Sequence, residues 1–146
     1  MYKKIEEIYS LYTPQERERI EYAYRLAERV LKEKTRENGH PFIEHPIGVA
    51  YIVAKEIGLT ADCTEAIFLH EALRFHPTLL EELPKGQFPQ EVVDIALNLN
   101  KIAAIKPKET RLEAENYKRL IVSFSSDPRV VIIKLADRLE VMRNIA

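Results

Sequence analysis

Thr13-Pro14-Gln15-Glu16-Arg17-Glu18-Arg19-Ile20-Glu21-Tyr22-Ala23-Tyr24-Arg25-Leu26-Ala27-Glu28-Arg29-Val30 carries a start signal and a helical period in one run. Thr13 suits an N-cap, Pro14 the first helical position, and Glu16 the acid that closes a capping box. Ile20, Ala23, Ala27 and Val30 then recur at three and four residues, which places them on one face of a helix. The periodicity predicts a helix to about Lys34, ended by Asn38-Gly39.

The same 3.6-residue period recurs outward from this run. A short helix precedes it. Pro46 opens a helix with the stripe Ile47, Ala50, Tyr51, Ala54 and Ile57, terminated by Gly58. Thr60 caps a helix with Ala66, Leu69, His70 and Leu73 on one face. Pro77 starts a short helix over Leu79, Leu80 and Leu83, and Pro89 opens another through Val92, Val93, Ile95 and Ala96. Lys101 to Glu109 reads as an exposed loop, Thr110 to Phe124 as a helix, and Asp127-Pro128 as the cap of the last helix, which runs to near Ala146. No alternating strand pattern appears, and there are only four glycines. The expected class is all-α, with seven or eight helices in one domain.

Composition narrows the function. At 146 residues the chain can bury a real core. A net charge of −1 gives no basic field, so duplex nucleic acid is not an expected partner, whereas a pocket for a small anion needs only local positive charge. Cys63 stands alone, which rules out an internal disulfide and fits a reducing cytosol. Acids at Glu6 and Glu7 fall where a secretory peptide needs an apolar run, and Lys55 and Lys134 interrupt the longest apolar stretches. A cytoplasmic protein with no membrane span is expected.

Four residues can carry chemistry. His45, at a helix entrance before Pro46, is either a packed loop histidine or a ring aimed into a cleft. His70 lies on an apolar face, where one hydrogen bond satisfies a core histidine. Its neighbour Glu71 either faces solvent and pairs with Arg74 or serves as a ligand, and both reach one ion only from the edge of the buried stripe. Asp137 falls in the apolar run Val130-Val131-Ile132-Ile133-Lys134-Leu135-Ala136-Asp137-Arg138-Leu139, where a lone carboxylate is costly. Either Lys134 or a metal neutralises it. Two imidazoles and two carboxylates form a mixed set that suits manganese, iron or zinc.

Arg36-Glu37-Asn38-Gly39-His40-Pro41-Phe42-Ile43-Glu44-His45-Pro46-Ile47-Gly48-Val49-Ala50 resembles the opening motif of the RelA/SpoT-type HD domain. Ala66-Ile67-Phe68-Leu69-His70-Glu71 is similar to that family's His-Asp helix. Glu115-Asn116-Tyr117-Lys118 and the run from Asp127 to Leu139 resemble its last two core segments. The matches are in order and span about residues 23 to 146. The resemblance implies a single HD-type domain over 1–146, without the synthetase half and without some C-terminal helices of the hydrolase half. It further implies one divalent metal, typically manganese, held by His45, His70, Glu71 and Asp137. The implied reaction is removal of the 3′-pyrophosphate from (p)ppGpp, with Arg36 against the nucleotide and Lys101 and Arg74 meeting phosphates.

Several positions depart from the family's pattern. Glu71 replaces an aspartate, which carries its carboxylate outward by about 1.5 Å, one C–C bond. The acids that manage the attacking water fall on Arg74 and Phe75, and neither can act as a base. Val141 stands for an asparagine and Leu31 for a common histidine. The catalytic pair is therefore left unassigned. The alternative expectation is a catalytically degenerate HD domain that binds a nucleotide or regulates a partner.

Overall fold

The computed structural model describes residues 2–102 and 127–144. Its elements are α1 (Tyr2–Tyr9), α2 (Pro14–Val30), α3 (Glu44–Tyr51) running on as a π-helix (Ile52–Ile57), α4 (Ala61–Phe75), α5 (Leu79–Glu82), α6 (Gln90–Ile102) and α7 (Pro128–Arg143). Among the described residues no strand forms, only a bridge between Thr35 and Pro41. The all-α class holds. The expected helix over Thr110 to Phe124, the loop from 103 onward and the Glu115-Asn116-Tyr117-Lys118 segment lie outside the described residues.

Helix boundaries follow local chemistry where a cap is present. Thr13 Oγ1 accepts from the Glu16 amide while Glu16 accepts from the Thr13 amide, the reciprocal box that starts α2. Asp127 accepts from the Arg129 amide to start α7. Thr60 stands at the N-cap of α4, but its hydroxyl lies 3.9 Å from Cys63 Sγ and makes no cap bond.

Three boundaries differ from expectation. α2 ends at Val30, because residues 31–43 fold back on themselves: Arg36 N donates to His40 O and Phe42 N to Lys34 O. Gly39, at φ 85°, turns this small loop rather than ending a helix. α3 begins at Glu44, two residues before Pro46, which places His45 inside the first turn. α6 continues through Lys101 to Ile102, so Lys101 is helical and exposed.

α4 is the axis of the fold and packs against α2, α3, α5, α6 and α7. Every residue from Cys63 to Leu73 is buried, so α4 is covered all round and not along one stripe. Phe68, Ile67 and Leu69 have no exposed area, and Ile20, Leu99 and Ile133 close over them from α2, α6 and α7. This burial carries four polar groups inward beside the apolar ones, Thr64 and Glu65 near the start of α4 and His70 and Glu71, at 6% and 1% exposure, in its middle. The fold thus exchanges the solvent-facing option for Glu71 for an interior one. Among the described residues no helix is long and apolar enough to cross a membrane.

Candidate metal centre

Three helices bring the four candidate residues together. His45 comes from the first turn of α3, His70 and Glu71 from the middle of α4, and Asp137 from the middle of α7. His45 Nε2 lies 2.7 Å from Asp137 Oδ1 and 3.9 Å from Glu71 Oε2. Glu71 Oε1 lies 3.8 Å from His70 Nε2. Lys134 Nζ is 3.9 Å from Asp137 Oδ2, so the lysine one turn back also serves that carboxylate.

The hydrogen bonds fix which nitrogens are free. His70 Nδ1 is 2.5 Å from the Ile67 carbonyl oxygen, which can only accept. Nδ1 therefore carries the proton, and a neutral ring keeps its lone pair on Nε2, facing Glu71. Burial favours that neutral form by pushing the His70 pKa down. His45 is different, with carboxylates at both nitrogens: Glu140 Oε1 at 2.5 Å from Nδ1 and Asp137 at Nε2. Burial works to lower its pKa, but the bonds to Asp137 and Glu140 outweigh burial and lift it to about 9. Burial raises the Asp137 and Glu140 pKa values in turn, but the charged His45 ring, joined by Lys134 at Asp137 and by Arg36 at Glu140, overrides it, so both carboxyls are held below their ordinary values.

These positions can be tested for fit to a divalent ion. With bonds of about 2.0–2.2 Å, two donors on one ion stand about 3 Å apart at a right angle and about 4 Å apart when opposed. The separations of 3.9 and 3.8 Å from Glu71 to the two imidazoles fall in that range. The 2.7 Å contact of His45 with Asp137 is a direct hydrogen bond, which an ion would open by taking the place of the Nε2 proton. Among the described residues no three His, Cys, Asp or Glu side chains stand as a finished cage. One atom nonetheless asks for a partner: Glu71 Oε2 is buried and without a hydrogen bond. A buried carboxylate oxygen left unpaired is costly, and a cation between two imidazoles and Asp137 would satisfy it. The donor set fits the ion.

A cleft of about 490 Å³ opens over this cluster, lined by Arg36, Phe42, His45, Arg74, Asp137 and Val141 among others. Arg74 is half-exposed, with Nη1 3.4 Å from Glu71 Oε1. Its guanidinium lies 5.0 Å from the centre of the Phe75 ring, which packs edge-on to Phe42 at 5.5 Å. The two positions where acids were expected by resemblance thus form a cationic and aromatic rim. Of the proposed substrate contacts, Arg36 and Arg74 line the cleft, and Lys101 is not among its lining residues.

Sequence reasoning missed Glu140. Its side chain is 5% exposed, and it accepts from the Arg36 fork at 2.8 and 2.9 Å, from His45 Nδ1 and from Asn144 Nδ2 at 3.0 Å. The available signal was its spacing, three residues after Asp137 and so on the same face of α7. Its partners lie 95 and 104 residues away, which no local pattern shows.

Residues 23–146 match the family described as HD domain. The chain is 37% identical over 141 residues to the guanosine-3′,5′-bis(diphosphate) 3′-pyrophosphohydrolase of Aquifex aeolicus, covering 97% of this chain and 20% of that protein. It is 30% identical over 148 residues to the bifunctional (p)ppGpp synthase/hydrolase SpoT of Escherichia coli K12, covering 99% and 21%. A GTP pyrophosphokinase of Streptomyces coelicolor is 36% identical over 126 residues, covering 86% and 14%. The chain therefore spans about a fifth of the length of the first two relatives.

Proposed function

The chain belongs to the HD-domain family, of the RelA/SpoT type, and from that premise we propose that it is a metal-dependent phosphohydrolase domain acting on the 3′-pyrophosphate of (p)ppGpp or a related nucleotide. The observation that carries this reading is the buried Glu71 carboxylate, whose unpartnered Oε2 lies 3.9 Å from His45 Nε2 and whose Oε1 lies 3.8 Å from His70 Nε2, with Asp137 of a third helix against the same His45 nitrogen. His45, His70, Glu71 and Asp137 would hold the ion, with manganese the proposed metal and the cytoplasm the proposed setting. When bound, a divalent ion supplies Lewis-acid polarisation of a phosphoryl oxygen and activates water.

The chain's own residues do the rest. His70 offers Nε2 because Ile67 holds its Nδ1 proton. Arg74, at the rim, presents a guanidinium suited to phosphate oxygens. Phe42 gives the cleft an apolar wall that excludes water from one side. The test is incubation of purified, manganese-loaded protein with (p)ppGpp and a panel of nucleotides. Metal-dependent release of pyrophosphate is expected, and no metal-dependent turnover of any of them retires the reading.

A second reading is favoured by Arg74 and Phe75: a nucleotide-binding or regulatory module that keeps the site and has lost the chemistry. Neither side chain can accept a proton from water near neutral pH, and Arg74 reaches toward Glu71. Tight calorimetric binding of the alarmone without hydrolysis would select it.

A further inference from the structure

Glu140 is the most fully engaged carboxylate among the described residues, and its contacts join two of the candidate site residues, His45 and Arg36. Oε1 meets His45 Nδ1 at 2.5 Å and Arg36 Nη2 at 2.9 Å, while Oε2 meets Arg36 Nη1 at 2.8 Å and Asn144 Nδ2 at 3.0 Å. Asp137 and Glu140 lie three residues apart on one face of α7 and take opposite nitrogens of the same imidazole. The approach is built into the backbone as well. A Cβ at Gly48 of α3 would stand 2.7 Å from Glu140 Cγ and 3.0 Å from Oε2, so the carboxylate lies where only a glycine leaves room.

We propose that Glu140 is the positioning residue of this site, the carboxylate that holds the His45 ring by its Nδ1 with Nε2 toward the ion and is itself fixed in place by the Arg36 guanidinium. The inference rests on the hydrolase reading for the identity of the ion. For His45 the logic is that of a metal-bound imidazole whose far nitrogen donates to a carboxylate, which sets tautomer and ring orientation. The Arg36 fork, bonded through both terminal nitrogens, and the Asn144 amide fix the carboxylate in that place.

Glu140→Gln keeps the shape of the side chain and one acceptor oxygen. The expected result is a fall of about 10- to 100-fold in manganese affinity by calorimetry. In nitrogen-resolved NMR without added metal, the His45 Nδ1 proton should be protected and far downfield in the wild type and lost or moved upfield in the variant. A role confined to stability would lower the melting temperature and leave manganese affinity and that proton unchanged, which overturns the proposal. Gly48→Ala, which displaces the same carboxylate with its charge intact, should reproduce the weakening. If the wild type binds no manganese, the hydrolase reading fails, and the Nδ1 proton measurement still decides the role of Glu140.

Discussion

Replacing Gly48 with alanine should destabilise this protein, against the ordinary trend for a helix interior. Gly48 is not among the glycines with positive φ, so alanine meets no backbone strain there, and helix propensity alone favours it by about 1 kcal/mol. The obstacle is Glu140. The new Cβ would stand 2.7 Å from its Cγ, so the side chain must retreat by roughly 0.8 Å to reach normal carbon contact. A shift of that size takes the bonds of 2.8 to 3.0 Å to Arg36 and Asn144 beyond hydrogen-bonding range and weakens the 2.5 Å bond to His45 to about 3.3 Å. Breaking a buried ion pair outright costs about 3–5 kcal/mol, and a displaced pair that keeps its charges falls at the low end. The net loss is about 2 kcal/mol after the propensity gain, or about 4–8 °C in melting temperature for a chain of this size. Thermal unfolding by circular dichroism, with chelator present, reads it directly. The decisive comparison is the same substitution on a Glu140→Ala background, where the obstacle is gone and alanine should stabilise by its propensity. Stabilisation by Gly48→Ala on the wild-type background would refute the close approach of α3 and α7.

Further outcomes follow from the same geometry. His45 has a folded pKa of about 9 against an ordinary value of 6.5, so in chelator-treated protein the stability contributed by its two carboxylate partners is complete below pH 6.5 and is lost as pH rises through about 9. Manganese must displace one proton from that ring, so its affinity should climb about tenfold per pH unit up to about 9. Calorimetry in two buffers of different ionisation heat should find close to one proton released near pH 7.5, and none released contradicts the ligand role of His45. Arg74→Glu combined with Phe75→Asp, which restores acids at the rim, should raise (p)ppGpp turnover by about 100-fold, measured as pyrophosphate release. A folded double variant with no gain shows that more than the proton-handling pair is missing. Leu99→Ala, at a fully buried position of α6 against α4, should cost about 2–5 kcal/mol in chemical denaturation. A loss below about 1 kcal/mol would place Leu99 outside the core.

Much of the architecture was legible because its signals are local. Thr13 with Glu16 and Asp127 before Pro128 start their helices by bonds spanning two or three residues. His45, His70, Glu71 and Asp137 were legible as a set through motif resemblance, and the fold brings all four together. What stayed hidden depends on distant partners. Glu140 looks like any surface acid on α7 until Arg36, 104 residues away, folds back in the loop after α2. Glu65 likewise is buried with its partner on another helix, Arg19 of α2, which reaches it at 2.7 Å. The sequence of α4 shows a stripe and the structure buries it all round, since periodicity marks the most apolar face and not how many neighbours will pack around it. The π-turn segment from Ile52 to Ile57 has no sequence signal that we can identify.

The central claim is that side chains from α3, α4 and α7 share one cation. Electron spin-echo spectroscopy of bound manganese, with histidine nitrogens labelled, counts the imidazoles on the ion. Two are predicted in the wild type, one in His45→Ala and one in His70→Ala. A manganese ion that binds with no imidazole coupling would contradict the claim.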